Sequence, residues 1–490
     1  MPFGESGLFG GTVMDARSER IAVPLAVDLD GTLIATDLLW ESLFLLIREK
    51  PLYLFLLPYW LWQGRAVFKC EIAERVNLDP AALPYREALL ARLREEREAG
   101  RRIILATAAP RKFAERIAEH LGLFDLVICT NRACNMASDT KRQALTELFG
   151  DGGYDYAGNG RADIPVFDSA RRAIVVAPDR HAAGWHARHG GELIVAPELT
   201  LKTLARMVRV HQWVKNALIF VPVVLAHQYF NLPLLLDCLL AFMAFSAAAS
   251  AIYILNDFFD LANDRRHPTK RNRPFASGAL PIPFGLAVMV VLLAVSAVTA
   301  FFLPPLFAGV LGLYLICTTA YSIAVKRMLL LDVLTLAGLY TLRILAGCAA
   351  TDIAVSFWLL AFSTFFFLSL ALVKRYVELR SIQLPVGERI AGRGYRTEDQ
   401  EIIGNAGMAA AFSSALVLAL YMQSGTIIQL YEYPWLIWPL SPIVLYLTMR
   451  IWILARRDEL HDDPIVFIIR DWRSQMFMAF GAVLLFAAGL

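Results

Sequence analysis

Residues 233–264 read PLLLDCLLAFMAFSAAASAIYILNDFFDLAND, an apolar run that ends in a cluster of acidic residues. The apolar part, 233–255, is long enough for an α-helix to cross the hydrocarbon core of a bilayer. On a helix, steps of three and four residues place Asp257, Asp260 and Asp264 on one face. Three neighbouring carboxylates repel one another unless a divalent cation neutralises them, and Mg²⁺ often links carboxylates to the phosphates of a substrate. The stretch therefore predicts a membrane-spanning helix with a magnesium site at its end.

The loop that follows this helix is strongly basic. It contains Arg265, Arg266, Lys270, Arg271 and Arg273, whose side chains are suited to charge-assisted hydrogen bonds with phosphate groups. A solvated loop that merely follows the positive-inside rule would explain these basic residues. It would not explain three acidic residues in register at the end of a span, because ionisable groups at membrane depth usually serve a function. We therefore interpret the loop as a phosphate-binding segment.

The rest of the C-terminal half repeats the apolar pattern. The chain of 490 residues is 57% hydrophobic, above the roughly 45–50% of globular proteins. Nine segments have the length and apolarity of membrane spans: 214–230, 233–255, 284–303, 305–323, 330–350, 355–373, 405–423, 434–454 and 474–490. The loops 256–283, 324–329, 374–404 and 455–473 are rich in Lys and Arg, whereas the turns between them have none. By the positive-inside rule, this alternation predicts an integral protein of the cell membrane with a cytoplasmic N-terminus and an outside C-terminus.

Composition argues against several other classes of protein. The formal net charge of +3 gives no support for nucleic-acid binding. The six cysteines form no CxxC pair and three of them lie within apolar spans, so we expect neither a disulfide framework nor a zinc site. Residues 1–20 lack the apolar core of a signal peptide, so we expect the N-terminal region to stay in the cytoplasm.

Residues 21–196 have the alternating pattern of a doubly wound, Rossmann-like α/β domain. Candidate strands are Ala22–Val27, Ile103–Ala106, Leu126–Ile128, Tyr154–Ala157, Ala173–Val176 and Leu193–Val195, and candidate helices include Arg111–His120 and Asp139–Phe149. A helical insertion at 37–99 contains the apolar stretch Leu43–Trp62, which charged residues and prolines interrupt. We therefore predict a helical cap that lies on the membrane surface rather than a span.

The first strand of this domain leads into the motif Val27-Asp28-Leu29-Asp30-Gly31-Thr32. Two acids that are separated by one residue at the carboxyl end of a strand project to the same side, where open α/β sheets bind their ligands. Gly31 permits the tight turn that follows. A plain turn is the alternative for an isolated motif of this kind, but the position at a strand end and the motifs that follow favour a site.

The membrane half resembles the UbiA superfamily of intramembrane prenyltransferases. The mark of that family is Asn-Asp-x-x-Asp-x-x-x-Asp after the second of nine spans, and residues 256–264 match it in full. The resemblance covers about 205–490, and further matching positions are Tyr321, Ser322, Lys326, Asp332 and Arg343. A second acidic motif is usual after the sixth span, but here that loop begins Lys374-Arg375-Tyr376-Val377-Glu378 with a single acid. One magnesium site is therefore safer to expect than two.

Two details resemble the polyprenyl-phosphate phosphoribosyltransferase branch of this superfamily. They are residues 211–216, His-Gln-Trp-Val-Lys-Asn, and residues 264–271, Asp-Arg-Arg-His-Pro-Thr-Lys-Arg. The resemblance implies Mg²⁺ as cofactor, phosphoribosyl diphosphate as donor, a polyprenyl phosphate as acceptor and diphosphate as leaving group. It implies Asp257, Asp260 and Asp264 as the catalytic, magnesium-binding residues. The phosphate- and substrate-binding residues that it implies are Lys215, Asn216, Asn256, Lys270, Arg271, Arg273, Tyr321, Lys326, Arg343, Lys374 and Arg375.

Residues 21–195 resemble the haloacid dehalogenase-like phosphatases. Asp28 matches the nucleophile that forms an aspartyl-phosphate, and Asp30 matches the general acid and base of that family. Thr107, at the end of the second predicted strand, matches the hydroxyl that binds phosphate. Lys141 matches the lysine that neutralises it. The resemblance therefore implies phosphate-ester hydrolysis in this domain.

The last acidic motif of the phosphatase family departs from its usual form in this chain. It usually reads Gly-Asp-x-x-x-Asp, whereas residues 158–163 read Gly-Asn-Gly-Arg-Ala-Asp. The implied magnesium ligands are thus Asp28, Asp30, Asn159 and Asp163, with an amide in place of one carboxylate. An amide oxygen can still coordinate Mg²⁺. Hydrolysis is the favoured interpretation, and a degenerate binding or regulatory domain is the alternative.

The two halves suggest consecutive steps on one lipid. We expect a tail at 1–20, a phosphatase-like domain at 21–196, a linker at 197–212 and a nine-helix, all-α membrane domain at 213–490. The membrane half would make polyprenyl-phosphoryl-5-phosphoribose, and the tethered phosphatase would then remove the 5-phosphate at a raised effective concentration.

Two alternative functions stay open at this stage. One is the transfer of a prenyl group from a prenyl diphosphate to an aromatic acceptor, as in other members of the superfamily. The other is a membrane binding protein or transporter with a vestigial phosphatase-like domain. Many transporters are built from internal repeats, and the sequence shows none.

Overall fold

The computed structural model of the protein describes residues 23–195, 199–381, 394–424, 431–460 and 463–489. The chain folds as two compact units. The first consists of the residues up to Met207 together with Asp257–Leu286, and the second consists of Val208–Asn256 and Ala287–Leu490. The acidic motif from Asp257 onward and its basic loop therefore group with the N-terminal domain, which domain bounds drawn from the sequence alone do not anticipate.

A parallel sheet forms the centre of the first unit. Its strands are β1 (Leu25–Val27), β2 (Ile103–Pro110), β3 (Leu126–Thr130), β4 (Asp155–Gly158), β5 (Arg172–Val176) and β6 (Glu192–Ile194). Their order in the sheet is β3-β2-β1-β4-β5-β6. All six predicted strands are confirmed, and Ala22 lies outside the described residues. Because β1 pairs with both β2 and β4, its carboxyl end is the switch point where sheets of this kind bind ligands.

The sheet is buried on both faces, as expected for a parallel sheet. Along β1, Leu25 and Val27 belong to one hydrophobic core, whereas Ala26 between them belongs to the other. This division follows from the alternation of side chains along a strand. The flanking helices are α5 (Arg111–Leu121), α6 (Asp139–Phe149), α7 (Ile164–Ser169), α8 (Arg180–His189) and α9 (Leu201–Met207), numbered after the four helices of the insertion.

The insertion between β1 and β2 is helical, as predicted. Its elements are α1 (Leu38–Glu49), a 3₁₀ helix (Pro51–Leu56), α2 (Leu57–Trp62), α3 (Arg65–Arg75) and α4 (Glu87–Glu98). The carboxylate of Asp37 caps α1 by accepting hydrogen bonds from the backbone amides of Leu39 and Trp40. The apolar stretch Leu43–Trp62 is not one continuous helix, because Pro51 and Pro58 each start a new segment. This described stretch therefore contains no helix of spanning length, as predicted, and its position on the membrane surface stays a prediction.

Long apolar helices dominate the second unit. The helices are α10 (Val221–Leu225), α11 (Leu232–Phe259), α13 (Ile282–Phe301), α14 (Pro305–Ile323), α15 (Leu331–Thr351), α16 (Phe357–Ser381), α17 (Gln400–Tyr421), α18 (Leu440–Arg456), α19 (Pro464–Arg470) and α20 (Trp472–Ala488). The last turn of α11, the first turn of α13 and the short helix α12 (Leu261–Arg266) belong to the first unit. The apolar composition and length of the helices identify an integral membrane protein.

Nine spans were predicted, and the described residues contain seven helices that are long and apolar enough to cross a bilayer. The predicted first span is instead a 3₁₀ helix, Val210–Phe220, that continues into α10, and the predicted ninth is α20. These two apolar helices are shorter than the seven others. The count of nine is therefore not confirmed, although every predicted segment contains a helix. The basic loop residues Arg389 and Arg393 lie outside the described residues.

Close packing in the second unit depends on a glycine of α15. A Cβ atom at Gly347 would collide with the backbone carbonyl of Ile219, in the 3₁₀ helix that precedes α10. Ile219 belongs to a hydrophobic core that also contains Ala346 and Ala349 of α15. Small residues of this kind let membrane helices approach each other closely. The glycine thus brings the segment that carries Lys215 and Asn216 against α15, which carries Arg343.

Candidate active sites

The first site lies at the carboxyl end of β1. Asp28 and Asp30 follow this strand, and both line a cavity of about 240 Å³. Lys69, Lys141 and Asp163 line the same cavity. The prediction that the two aspartates project to the same side of the sheet is confirmed, because a single cavity receives both.

Lys141 connects the aspartates of this site. Its Nζ donates to Asp28 Oδ1 at 2.7 Å and to Asp163 Oδ1 at 3.2 Å. It also lies 2.8 Å from the hydroxyl of Tyr156, which itself donates to Asp163. Burial alone would lower the pKa of Lys141, but the charges of Asp28 and Asp163 raise it above its ordinary value. Lys141 is therefore a permanent cation beside Asp28, where it can neutralise a bound phosphate.

Thr107 and Asp30 hold backbone groups around the cavity. Asp30 Oδ1 accepts a hydrogen bond from the amide of Leu38, at the start of α1, at 2.9 Å. Thr107 is completely buried, and its Oγ1 accepts a hydrogen bond from the amide of Ala109 at 3.0 Å. Ala109 itself lines the cavity. The side chain of the predicted phosphate-binding residue therefore holds the backbone of the last part of β2 beside the cavity.

Asn159 and Asp163 occupy different positions in the site, although the sequence assigned both to one metal. The side-chain oxygen of Asn159 accepts a hydrogen bond from Thr32 at 3.3 Å and packs directly on Gly31, where a Cβ atom would clash. Asp163 Oδ2 accepts from the amides of Asn159 and Gly160, at 3.0 and 3.1 Å. With its other oxygen bound to Lys141 and Tyr156, Asp163 orients the lysine in this structure.

The electrostatics of this cavity suit a cation. Burial, partly offset by Lys141, raises the pKa of Asp28 to about 6. Burial and the neighbouring Asp37 raise the pKa of Asp30 well above its ordinary value. Within the described residues no three His, Cys, Asp or Glu side chains stand close enough to hold a metal alone. Asp28, Asp30 and the Asn159 amide oxygen nevertheless form a set of oxygen donors that fits Mg²⁺, which usually takes its remaining ligands from phosphate and water.

The cap contributes a residue that the sequence did not single out. Lys69 on α3 lines the cavity, and its Nζ donates to the carbonyl of Ala108 at 2.9 Å and to Asn135 at 3.1 Å. Burial lowers the pKa of Lys69, and the charges of Asp30 and Asp37 oppose that shift. A single charged residue on a predicted amphipathic helix resembles any solvated side chain, so the sequence held no signal for its position.

The acidic motif of the membrane half adopts a different geometry from the one predicted. Helix α11 ends at Phe259, Asp260 has non-helical backbone angles, and α12 begins at Leu261. Arg273 joins Asp257 and Asp264, with contacts of 3.2 and 2.6 Å to their carboxylates. The expected single helix face is therefore not formed, since the helix is interrupted at Asp260.

Asp260 has a cationic partner in the cap. The guanidinium of Arg48, on α1, lies 3.3 Å from Asp260 Oδ1 and donates to the carbonyl of Phe259 at 2.7 Å. Burial raises the pKa of Asp264, with Arg273 opposing that shift. In this structure arginine side chains neutralise the acidic motif, and the three carboxylates do not converge on one point. Their carboxylate oxygens are of the type that Mg²⁺ prefers, and in this structure Arg273 and Arg48 contact them.

The basic loop is anchored to the cap at a second point. Arg265 makes a buried, two-pronged contact with Glu41 on α1, at 2.9 and 2.5 Å. Thr36 also donates to Glu41, at 2.6 Å. The predicted phosphate-binding residues Lys270 and Arg271 are exposed on the same loop. Glu41 is separated from Arg265 by more than 200 positions, so no local pattern indicates that the two residues pair.

In the second unit, predicted substrate-binding residues form a polar cluster around Asp463. Lys215 Nζ lies 2.6 Å from Asp463 Oδ2, and Lys374 Nζ lies 3.4 Å from the same oxygen. Lys215 is also 5.7 Å from the ring centre of Tyr340, a cation–π distance. Asp463, which precedes α19, is the acidic neighbour of Lys374 that sequence reasoning missed, because it lies about 90 residues further along the chain.

Arg343 on α15 and Asn216 on the 3₁₀ helix Val210–Phe220 form a neighbouring pair. The Nε of Arg343 donates to the Asn216 side-chain oxygen at 2.8 Å, and one of its terminal nitrogens donates to the hydroxyl of Tyr314 at 3.3 Å. Asn216 in turn donates to Ser246 at 3.0 Å. Both residues are buried at membrane depth, where an unpaired cation is expensive and a paired one usually serves a function.

Another predicted substrate-binding residue of the second unit, Arg375, has acidic partners other than Asp463. Arg375 is almost completely buried and pairs with Asp332 at 2.5 Å and also with Glu378. Tyr395 donates to the other oxygen of Asp332 at 2.5 Å. Arg375 therefore has a structural partner set of its own. Asn256, Tyr321 and Lys326 are half-buried, at or near the ends of apolar helices.

Comparison with known proteins assigns both halves of the chain. The model of the UbiA prenyltransferase family matches residues 217–481. The chain belongs to this family. The model of the haloacid dehalogenase-like hydrolases matches residues 25–168, which contain β1 to β4 and the first site. This UbiA-family enzyme thus carries an N-terminal domain of the haloacid dehalogenase type.

Three relatives differ in how much of the chain they share. The uncharacterized protein y4nM of Sinorhizobium fredii is 39% identical over 465 residues, which is 94% of this chain and 90% of that protein. Nodulation protein NoeC of Azorhizobium caulinodans is 34% identical over 57% of this chain and 91% of its own length. Decaprenyl-phosphate phosphoribosyltransferase of Mycobacterium tuberculosis is 37% identical over 180 residues, 36% of this chain and 60% of that enzyme.

Proposed function

We propose that this UbiA-family protein transfers 5-phosphoribose from phosphoribosyl diphosphate to a polyprenyl phosphate and that its N-terminal domain then removes the 5-phosphate. The observation that carries the proposal is the 37% identity to decaprenyl-phosphate phosphoribosyltransferase over 180 residues. The cationic side chains of the membrane half agree with it, since both substrates carry phosphate groups. The combined product would be a polyprenyl-phosphoryl ribose.

In the transfer step, a phosphate oxygen of the lipid attacks C1 of the ribose, the bond from C1 to the diphosphate breaks, and diphosphate leaves. We assign Lys215 and Lys374 to the phosphates, because both are held at one carboxylate that an anionic substrate can replace. Arg343, fixed by Asn216 and Tyr314, would hold a further phosphate oxygen at membrane depth. The exposed Lys270 and Arg271 would attract the anionic donor to the acidic motif.

We assign the binding of Mg²⁺ in the transferase to Asp257, Asp260 and Asp264, after release from Arg273 and Arg48. When bound, Mg²⁺ would supply charge stabilisation to the leaving diphosphate. Arg273, once released from Asp257 and Asp264, would donate to a phosphate oxygen of the substrate.

In the hydrolytic step, we assign the nucleophile to Asp28. Its carboxylate attacks the 5-phosphate, and the ribose oxygen leaves with a proton from Asp30, whose raised pKa favours the protonated acid. Water then hydrolyses the aspartyl-phosphate, with Asp30 as the base. Lys141 and Lys69 would neutralise the phosphate, and Asp28 and Asn159 would hold Mg²⁺, with Asp30 kept for proton transfer.

We place both steps on the cytoplasmic side of the cell membrane. The loops 256–283, 324–329, 374–404 and 455–473 carry the excess of Lys and Arg, which marks the cytoplasmic face. The nine-span arrangement, with the two shorter apolar helices as its first and last members, remains part of this proposal. The domain bounds 21–196 and 213–490 belong to it as well.

The test is product analysis with purified protein in lipid vesicles. Phosphoribosyl diphosphate labelled in the ribose is mixed with decaprenyl phosphate and Mg²⁺, and the organic phase is analysed for labelled lipid with and without a 5-phosphate. Wild type should give labelled lipid without the phosphate. Asp257→Asn should lower total labelled lipid by about 10²-fold or more, because it removes charge stabilisation of several kcal/mol. Asp28→Asn should leave that total unchanged and accumulate the 5-phosphorylated lipid.

One control variant and two possible outcomes separate the two parts of the proposal. Asp151→Asn alters an exposed aspartate that makes no part of either site, and it should behave as wild type. Absence of labelled lipid from the wild-type reaction would refute phosphoribosyl transfer. Formation of a prenylated aromatic product from a prenyl diphosphate would then support the alternative function, prenyl transfer to an aromatic acceptor. Labelled lipid with an identical phosphate content in wild type and Asp28→Asn would refute only the second step.

A further inference from the structure

The cap of the N-terminal domain exposes an apolar patch. Residues 51–64, PLYLFLLPYWLWQG, contain no charged side chain. Its large exposed side chains, here called the cap patch, are Leu52, Leu54, Phe55, Leu56, Tyr59, Leu61 and Trp62. Phe55 and Trp62 keep 80% and 84% of their surface exposed. A contiguous patch of this kind marks an interaction surface, because soluble surfaces seldom group so many large apolar residues.

The segment is a folded part of the domain and not a loose loop. Trp60 is buried in the core, and its ring lies 5.8 Å from that of Tyr53. The guanidinium of Arg75, on α3, lies 4.6 Å above Trp60 and 5.3 Å above Tyr53. One side of the segment is thus fixed to the domain by aromatic and cation–π contacts, and the opposite side presents the cap patch.

The cap patch begins close to the end of an apolar helix of spanning length. Phe44 on α1 packs against Phe258 and Phe259, the last residues of α11, with ring centres 4.8 and 6.0 Å apart. Arg48, one turn further along α1, donates to the carbonyl of Phe259. The patch starts only three or four residues after Arg48, and such a segment reaches about 14 Å at most. The first residues of the cap patch therefore lie within that distance of Arg48, which contacts the last residue of α11.

We propose that the cap patch is a membrane-binding surface that enters the interface of a phospholipid bilayer without crossing it. Its 3₁₀ helix and α2 have six residues each, which is too short to span about 30 Å of hydrocarbon. Tyr59 and Trp62 stack on each other and are of the types that favour the headgroup level. Lys50 and Arg65 flank the apolar segment and are exposed, where they meet lipid phosphates.

This surface has a consequence for the hydrolytic site. The cap patch follows α1, and the start of α1 borders the cavity through Asp37 and Leu39. Docking of the cap patch would hold the mouth of that cavity beside the headgroups, where a lipid-linked phosphate ester is found. The consequence rests on the proposed function, whereas the membrane-binding surface itself does not.

The experiment measures lipid contact in the full chain. Phe55→Cys and Leu148→Cys are made in a background in which the six native cysteines are replaced by serine and which purifies as wild type does. Leu148 is 56% exposed on α6, outside the cap patch, and is the matched control. Each variant is labelled with a fluorophore and placed in nanodiscs that hold one chain. Quenching is then measured with spin-labelled phospholipid and with iodide in the water.

We expect spin-labelled phospholipid to quench the label at position 55 at least fivefold more than the label at position 148, with iodide showing the reverse order. Equal quenching of the two labels by iodide would overturn the proposal. Protection of position 55 from iodide without quenching by lipid would also overturn it, since the patch would then contact protein. A second label at Trp62→Cys must repeat the result. None of these outcomes depends on phosphoribosyl transfer or on hydrolysis.

Discussion

At the residue scale, Asp463 is the acidic partner of two lysines in the membrane half. It holds Lys215 and Lys374, the two lysines that we assign to substrate phosphates, at 2.6 and 3.4 Å. An incoming diphosphate must compete with this carboxylate. Asp463→Asn removes the competing charge and keeps the side-chain shape, so we expect the KM for phosphoribosyl diphosphate to fall about fivefold, or ~1 kcal/mol. Steady-state kinetics at low ionic strength measure this change.

Lys215→Met is the matched control for that experiment. It removes the cation and should raise the KM and lower kcat. If Asp463→Asn raised the KM as Lys215→Met does, the carboxylate would be an organiser of the lysine and not a competitor of the substrate.

The same ion pair predicts how the Asp463→Asn effect depends on pH. Burial alone would raise the pKa of Asp463, but the charges of Lys374 and Lys215 lower it to about 2. A folded-state pKa below the unfolded value of about 3.9 stabilises the protein at every pH above that value, and the stabilisation is lost as the pH falls toward about 2. Asp463 should therefore carry its negative charge throughout the neutral range. Because its competition with the substrate does not change there, the ratio of wild-type to variant KM should stay constant. A ratio that changes between mildly acidic and mildly alkaline buffer would contradict this assignment.

Asn159 stands in the first site at a position where the motif of the haloacid dehalogenase-like family usually has an aspartate. Its side chain lies beside Gly31 and Thr32, next to Asp28. Asn159→Asp adds a carboxylate where the oxygen donors of Mg²⁺ are expected, so we predict about a tenfold lower Mg²⁺ concentration for half-maximal phosphatase activity. Hydrolysis of a small phosphate ester at a series of Mg²⁺ concentrations tests this. Asn159→Ala is the control and should weaken the dependence in the opposite direction.

At the scale of elements, helix α1 connects the phosphatase-like fold to the acidic motif. On this helix, Glu41 forms an ion pair with Arg265, and Arg48 forms an ion pair with Asp260. Because a guanidinium and Mg²⁺ compete for one carboxylate, Arg48→Gln should lower the Mg²⁺ concentration that gives half-maximal transferase activity by about three- to tenfold. Arg266→Gln is the control, since Arg266 pairs with Asp79 at an exposed contact and should leave the Mg²⁺ dependence unchanged. If wild type, Arg48→Gln and Arg266→Gln showed the same Mg²⁺ dependence, Arg48 would not compete with the metal.

Local patterns predicted the elements and missed the contacts between them. The strands of the N-terminal domain were found because buried parallel strands are short apolar runs between turn signals. The helix interruption at Asp260 was missed, since the spacing of acids fits a helix whether or not one is formed. Glu41 carried a weak signal, because it is an acid within the apolar helix sequence LLWESLFLLIRE. Its partner Arg265 had none, because pairing over such a distance leaves no trace in a single sequence.

At the scale of the whole molecule, the family and the approximate site were predictable from motifs, whereas the grouping of the chain was not. The sequence suggested a phosphatase joined to a membrane enzyme by a linker, so that the tether would act only through effective concentration. The structure instead places Asp257–Leu286 in one compact unit with the N-terminal domain. The buried pair of Arg265 and Glu41 lies inside that unit, with 8% and 4% of the side chains exposed.

This grouping predicts that the N-terminal domain supports the transferase even when it cannot hydrolyse. A chain that starts at residue 199 lacks Glu41 and Arg48, so Arg265 and the backbone at Phe259 lose the partners on α1 that hold the acidic motif and its loop in place. In vesicles with equal amounts of folded protein, its transferase activity should be at least tenfold below that of full-length Asp28→Asn, which keeps the domain without its nucleophile. Glu41→Gln in the full chain should fall between the two, because it weakens one anchor and retains the other. If the shortened chain matched Asp28→Asn, the domain would be a tethered second enzyme alone, and the contacts of α1 would serve only its own stability.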